Sequence, residues 1–190
     1  AGGTAGSPTI AAGTGTKWAG TTNVGYTASC YDTENNKMFI AYEDSAAGAV
    51  KGIIATINAG TNAVTFAGDA TIWAEHSGDY FEVAFDEDTN KIIFLYRDDD
   101  NSDYTTYKVI TPSASSFSVA DGAVISSSDN RVHNGTGSGA AGKGVLFSIG
   151  DAGDSNKITY TTAFFGTTST TTSTIGDGDY LGISAAAISD

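Results

Sequence analysis

Cysteine is almost missing from this chain. Cys30 is the only one in 190 residues, so no intrachain disulfide can form. It lies in a strand-like pattern and reads as a small buried apolar residue. Histidine is nearly as scarce. His76 and His133 stand far apart, without the further Cys or His at ligand spacing that a zinc site needs. Positive charge is in short supply too, with 9 Lys and Arg against 22 Asp and Glu and a net charge of −13. Nucleic-acid binding needs a cationic face to replace counterions at phosphates, so the balance argues against that class. Docking on an anionic membrane surface is disfavoured for the same reason. No segment is long and apolar enough to span a bilayer as a helix. Helix-forming runs rich in Leu, Glu and Lys are absent as well.

What the chain has in quantity is glycine, 24 residues, with many Thr, Ser, Asn and Asp. That is the composition of many turns between short strands, and the fold class it predicts is all-β. The acidic balance reads first as solubility of the surface.

One stretch occurs twice. Residues 26–42 read YTASCYDTENNKMFIAY and residues 80–96 read YFEVAFDEDTNKIIFLY. Tyr26 and Tyr80, Asp32 and Asp86, Asn36 and Asn90, Lys37 and Lys91, Tyr42 and Tyr96, and Asp44 and Asp98 are all 54 positions apart. A constant offset over so many positions is an internal repeat, and a repeat dictates architecture before any local pattern does.

Within the first repeat, about residues 22–75, four strands follow in order. They are Val24 to Tyr31, Lys37 to Tyr42, Val50 to Ile57, and Val64 to Phe66 continuing toward Ile72 and Trp73. Val24, Tyr26, Ala28 and Cys30 share one face of the first strand. Asp32 to Asn36 form the first turn, where Asp and Asn bond nearby backbone and tolerate left-handed conformations. Asn58 to Asn62 signal a hairpin. The second repeat, about 76–127, has strands at Tyr80 to Phe85, Lys91 to Tyr96 and Tyr104 to Thr111. Pro112 ends the third of these because it cannot donate to a ladder. A fourth strand contains Phe117 and Val119, then Val124 and Ile125.

The third repeat, about 128–175, is degenerate. Val145, Leu146 and Phe147 match Ile92, Ile93 and Phe94 at an offset of 53, but a glycine-rich run (133–144) replaces its first strand and turn. Lys157 to Phe165 read as its third strand, and Thr167 to Thr174 as an exposed strand or a linker. Residues 1–21 read as a linker or as the remnant of a preceding strand. Residues 176–190 read as the start of a further module or as a C-terminal tail. Opening on AGGTAGSPT without an initiator Met, the chain reads as a processed product or a fragment. Each repeat of about 53 residues is predicted to be a four-stranded antiparallel meander, in the size range of β-propeller blades. One such meander cannot bury both faces alone, so the repeats must stack. A closed propeller takes about four to eight blades. Over 22–175 this chain supplies three, so either the native chain is longer, several chains complete a ring, or the repeats stack openly.

Few residues here name a chemistry. Asp98, Asp100, Asn101 and Asp103 lie in an acidic loop with alternating oxygen ligands that could hold Ca²⁺. The loop lacks the EF-hand glycine and distal glutamate, and the same place in the first repeat (44–49) lacks the carboxylates, which favours a solvated turn. No other cofactor is expected. Carboxylate pairs such as Glu43 with Asp44 and Asp86 with Asp88 recur with the architecture, which favours structural roles. A Ser/His/Asp triad built on His76 or His133 has no nucleophile elbow, so the chain is not expected to be an enzyme. Trp18, Trp73, Tyr104 and Tyr107 could stack on sugar rings, although their repeat-like spacing favours padding between sheets. Asn134, Gly135 and Thr136 fit a glycosylation sequon, meaningful only in a secretory host. The ligand-binding residues are unknown at this level.

The signature carried by Tyr31 and Asp32 with Asn36 to Asp44, and by Phe85 and Asp86 with Asn90 to Asp98, resembles the tandem "FD…NKVVIAYRD" repeats. These occur in tail-fibre and other appendage proteins of marine bacteriophages and in related bacterial surface proteins. The likeness extends into Asn101 to Tyr104, and residues 178–190 (GDYLGISAAAISD) resemble the opening of a module that follows such repeats. It covers residues 17–111 well and the third repeat poorly. The resemblance implies a virion-surface or extracellular location, self-association as a homotrimer in a fibre, and attachment to a host-surface glycan or protein. It supplies no catalytic residues. A purely structural virion or filament subunit, and a secreted lectin or glycan-active protein, are the alternatives.

Overall fold

The computed structural model describes residues 23–137 apart from 59, 62, 68, 75–77 and 88, together with strands at 145–151, 158–163 and 172–174. Side chains are described within 23–127. The fold is all-β, and every strand pairing is antiparallel.

The first sheet is a meander of β1 (Val24–Asp32), β2 (Lys37–Asp44) and β3 (Ala49–Ile57). Its last edge is shared by two short strands, β4 (Val64–Phe66) and β5 (Ala70–Trp73), which pair with successive lengths of β3. The sequence reads these as one strand; the chain leaves the ladder between them, around Ala67 and Asp69.

The second sheet begins as the same meander: β6 (Gly78–Asp86), β7 (Lys91–Asp98) and β8 (Tyr104–Pro112). Its register repeats that of the first sheet. Asp32 faces Lys37 and Asp86 faces Lys91; Ala28 faces Ala41 and Glu82 faces Leu95. Both first strands carry a bulge near their start, and in the second copy Tyr80 takes a positive φ of 53° there. Asn36 and Asn90 close the first turns with the same left-handed φ of 52°, as their side chains allow.

The two copies part company at one place. Ala49 faces Asp44, but Tyr104 faces Asp98. The second copy therefore holds one more residue in its second turn, and from there the offset is 55 rather than 54. Gly48 (φ 58°) and Ser102 (φ 57°) occupy the equivalent left-handed position, and the added residue, Asp103, is left-handed too (φ 61°).

Beyond β8 the sequence divides a second repeat from a third, whereas the hydrogen bonding does not. A single long strand, β9 (Phe117–Gly137), pairs first with β8 and then with β10 (Val145–Asp151). β11 (Ile158–Ala163) and β12 (Thr172–Thr174) follow, giving one seven-stranded sheet in the order β12-β11-β10-β9-β8-β7-β6. The register between β8 and β9 shifts three times. The latter half of β9 supplies the first strand that the repeat pattern had lost, and it includes residues 133–137 of the glycine-rich run, which are paired with β10.

The core lies between the two sheets. The first sheet contributes Phe39, Ala41, Val50, Ile54 and Ile72, with Ala28, Cys30 and Trp73 partly buried beside them. The second contributes Phe81, Val83, Phe85, Ile92, Phe94, Tyr96 and Ile110, with Phe117 and Val119. Small residues meet large ones across the gap. Gly52 is the clearest case: a Cβ there would come within 2.8 Å of the Phe117 ring and 3.0 Å of Phe39. Its absence lets Phe117 stand edge-on to Phe39, centroids 5.3 Å apart. Trp73 lies against Tyr96 at 5.0 Å. Each buried side chain of this size contributes about 2 kcal/mol by leaving water. A second cluster, Ala84, Ile93 and Leu95 with Tyr107 and Ile125, forms on the opposite face of the second sheet.

Candidate functional site

The two sheets meet through equivalent residues. Tyr26 and Tyr80, 54 positions apart, have ring centroids 5.5 Å from each other. At the other end of the same strands Thr33 Oγ1 donates to Glu87 Oε1 at 3.1 Å, again across 54 positions. β1 thus lies over β6 without a slip in register, and the sheets stack head to tail. One face of the first sheet receives the opposite face of the second.

The most charged cluster lies at the Tyr80 end. Arg97 leaves β7 one residue before the second turn. Its Nε donates to Asp79 Oδ1 at 2.7 Å and its Nη2 to Asp79 Oδ2 at 2.9 Å, a two-pronged pair. Nη2 also lies 3.3 Å from Asp99 Oδ1 and 3.8 Å from Asp103 Oδ1. The guanidinium sits over the Tyr80 ring, 5.2 Å from its centroid. Burial, then the charge of Asp79, raises the Asp99 carboxyl above its ordinary value, while Arg97 acts in the opposite sense. Burial first and the Asp79 charge second also raise the Tyr26 hydroxyl.

This cluster takes up much of the acidic loop that could hold calcium. Asp103 and Asp99 turn toward Arg97. Asp98 is buried and accepts the Asp100 backbone N–H at 3.2 Å on its Oδ1. Asn101 closes the turn through its backbone, donating N–H to the Asp98 carbonyl at 3.1 Å and accepting from Tyr104 at 3.1 Å. Among the described residues no three His, Cys, Asp or Glu side chains come together to hold a metal ion.

The first sheet solves the same corner differently. Asp44 heads its turn, accepting the Ala47 N–H at 3.2 Å. Lys51, from β3, lies 2.8 Å from Asp44 and 3.4 Å from Asp69. The Tyr42 hydroxyl donates to Asp69 at 3.0 Å. Burial, then that hydrogen bond, pushes the Tyr42 hydroxyl up to about 12.

Other residues singled out in the sequence have bland positions or fall outside the description. Trp73 and Tyr107 pack into the two apolar clusters, and Tyr104 is half-buried at the start of β8. Cys30 is packed against the main core, and burial pushes its thiol up to about 12, which keeps it protonated and unreactive. Asp86 is buried beneath its own turn, where Thr89 donates to it. Trp18, His76 and Asp88 lie outside the described residues, as do the side chains of His133 and Asn134.

Sequence reasoning missed the pair of Asp79 and Arg97. A signal for it existed: the equivalent positions of the first repeat are Gly25 and Glu43, so both partners change together between copies. Comparison with family models, with curated proteins and with solved structures found no match to this chain.

Proposed function

We propose that this chain is a self-associating structural and adhesive component of a phage-type fibre or surface appendage, exposed on a virion or outside the cell. In this reading the meanders act as propeller-like blades, copies of the chain assemble as a homotrimer or a fibre, and the assembly attaches to a host-surface glycan or protein. No reaction is assigned to it. One observation carries the reading: equivalent residues of successive repeats, Tyr26 with Tyr80 and Thr33 with Glu87, touch each other. Repeats that stack without a register slip extend by adding further copies, which is how solenoids, rings and fibres grow. The motif resemblance at residues 31–44 and 85–98 points the same way.

The test is the native mass of the chain in solution, with electron microscopy of the same sample. A stable trimer or a filament is the expected result. A compact monomer at every concentration overturns the reading. A structural subunit without a receptor is favoured over a lectin by the packing of Trp73 and Tyr107 inside the apolar clusters. Retention of the assembled protein on an immobilised polysaccharide separates the two.

A further inference from the structure

Two tyrosines meet where the two sheets do. Tyr26 on β1 and Tyr80 on β6 hold equivalent places in the first two repeats, and their ring centroids lie 5.5 Å apart at an interplanar angle of 43°. Neither ring is sealed in the core: Tyr26 is 43% exposed and Tyr80 is half-buried. Their backbones differ although their strands match. Tyr80 takes the left-handed φ of 53°, which a bulky aromatic residue keeps only when its surroundings enforce it, and Tyr26 does not. Arg97 supplies part of that enforcement. Locked to Asp79 by two hydrogen bonds, its guanidinium lies 5.2 Å from the Tyr80 ring centroid. A strained, braced phenol is therefore held against an exposed one.

We propose that Tyr26 and Tyr80 form an oxidative cross-linking site, at which one-electron oxidation joins the two rings by a carbon–carbon bond between their ortho (Cε) positions. The oxidant is hydrogen peroxide acting through a haem peroxidase. Each phenol gives up one electron and its hydroxyl proton to become a neutral phenoxyl radical, whose unpaired electron is shared with the ortho carbons. Two such carbons couple, one from each ring. Each then loses its hydrogen as a proton while the ring oxygen regains one, which restores both phenols. In sum, two tyrosines and one peroxide give one dityrosine and two waters. The geometry favours coupling within the chain, because the rings are already in contact and need only small rotations to bring ortho carbons together. Tyr31 shows what other tyrosines lack. It is 46% exposed, yet its counterpart in the second repeat is Phe85, which has no phenol to oxidise. The link closes a loop across 54 positions and ties the two sheets together. It restricts the unfolded chain as a disulfide does, in a chain whose single cysteine can form none within it. Only the packing inside one chain is needed, so the proposal stands apart from the self-association reading.

The experiment treats the full chain, at high dilution, with a haem peroxidase and hydrogen peroxide. Expected are dityrosine fluorescence, an intact mass lower by two hydrogens, and the mobility of a single chain on a denaturing gel. Fragment mass spectrometry should place the link between Tyr26 and Tyr80. The chain has 9 tyrosines, so that selectivity is itself a readout. The cross-linked chain should also melt at a higher temperature than the untreated one. Tyr26→Phe and Tyr80→Phe keep the rings and remove only the hydroxyls; circular dichroism checks that both fold, and each should abolish the intrachain link. Tyr31→Phe should leave its yield unchanged. A link that joins other tyrosines of the folded chain overturns the assignment. So does dityrosine found only between chains at every dilution, or no coupling in a mixture that couples free tyrosine.

Discussion

The first two repeats of this chain are nearly the same object in two surroundings. Their leading strands share a register, a bulge, a left-handed Asn and a buried Asp at each turn. What differs is how many faces must be dry. The second copy is covered on both sides, and its strands β6 and β7 are buried at most positions. The first has Thr27, Ser29 and Tyr31 exposed along β1, although Ile53 and Ala55 on the same face of its sheet are buried, and its β1 alternates. Replacing Thr27, Ser29 and Tyr31 by Phe81, Val83 and Phe85 converts a half-wet strand into a largely buried one without touching the turn. The turn chemistry is therefore intrinsic to the repeat, whereas the composition of the faces records the neighbours.

The largest expected effect tests that statement directly. Phe94 is fully buried, edge-on to Phe81 at 5.0 Å and stacked on Tyr96 at 5.1 Å. Phe94→Ala should cost about 3–5 kcal/mol in urea unfolding. Ile40→Ala, at the equivalent but only half-buried place, should cost about 1 kcal/mol in dilute solution. Equal costs at high dilution would mean that the two faces are equally covered, and the comparison would fail.

Much of this was legible before any coordinates. The offset of 54, the turn residues and the strand order all follow from side-chain type and spacing, which act locally. Three features were not. The added Asp103 shifts only the third strand of its repeat, and an alignment anchored on the identical residues before it hides the shift. The continuity of β9 across the expected repeat boundary is a matter of which strand lies alongside, and that is a long-range choice. The ion pairs of Arg97 with Asp99 and Asp103 are the third, because only the folded corner brings the guanidinium beside the acidic loop. The face asymmetry, by contrast, was written plainly in Thr27, Ser29 and Tyr31 and needed only a copy-to-copy reading.

That charged corner gives the next effect in size. Arg97 and Asp79 are each only 14% exposed, and removing the cation leaves Asp79, Asp99 and Asp103 without its compensation. Arg97→Ala should cost about 2 kcal/mol at neutral pH. The cost should also depend on pH. Asp99 has a carboxyl raised above its ordinary value of 3.8, so its contribution to stability is present at lower pH and is lost as pH climbs through the raised value. Arg97 opposes that rise, so the loss should be steeper in the variant than in the parent. The vacated carboxylates are also hard oxygen ligands. A calcium titration should then raise the Tm of Arg97→Ala more than that of the parent. A parent with the larger calcium response would mark the loop at Asp98, Asp100, Asn101 and Asp103 as a metal site.

The smallest effect concerns a defect that only one copy carries. In the first turn the Tyr31 hydroxyl donates to Asn36 Oδ1 at 3.2 Å, and Asp32 accepts from the Asn35 backbone at 3.0 Å and from its side chain at 2.8 Å. In the second turn Phe85 has no hydroxyl, and the buried oxygens Asn90 Oδ1 and Asp86 Oδ1 have no hydrogen-bond partner. The apolar ring was selected by the neighbouring sheet, at the expense of the turn beneath it. Phe85→Tyr restores the donor by the geometry already present in the first copy, and should raise stability by about 1 kcal/mol. The gain should vanish on an Asn90→Gly background, which keeps the left-handed φ of 52° but removes the acceptor. A loss in place of the gain would mean that the first sheet closes the space at the tip of the ring. Facing a neighbour and satisfying a turn would then be incompatible demands on that one position, and the repeat could keep its tyrosine only where that position is exposed, as Tyr31 is.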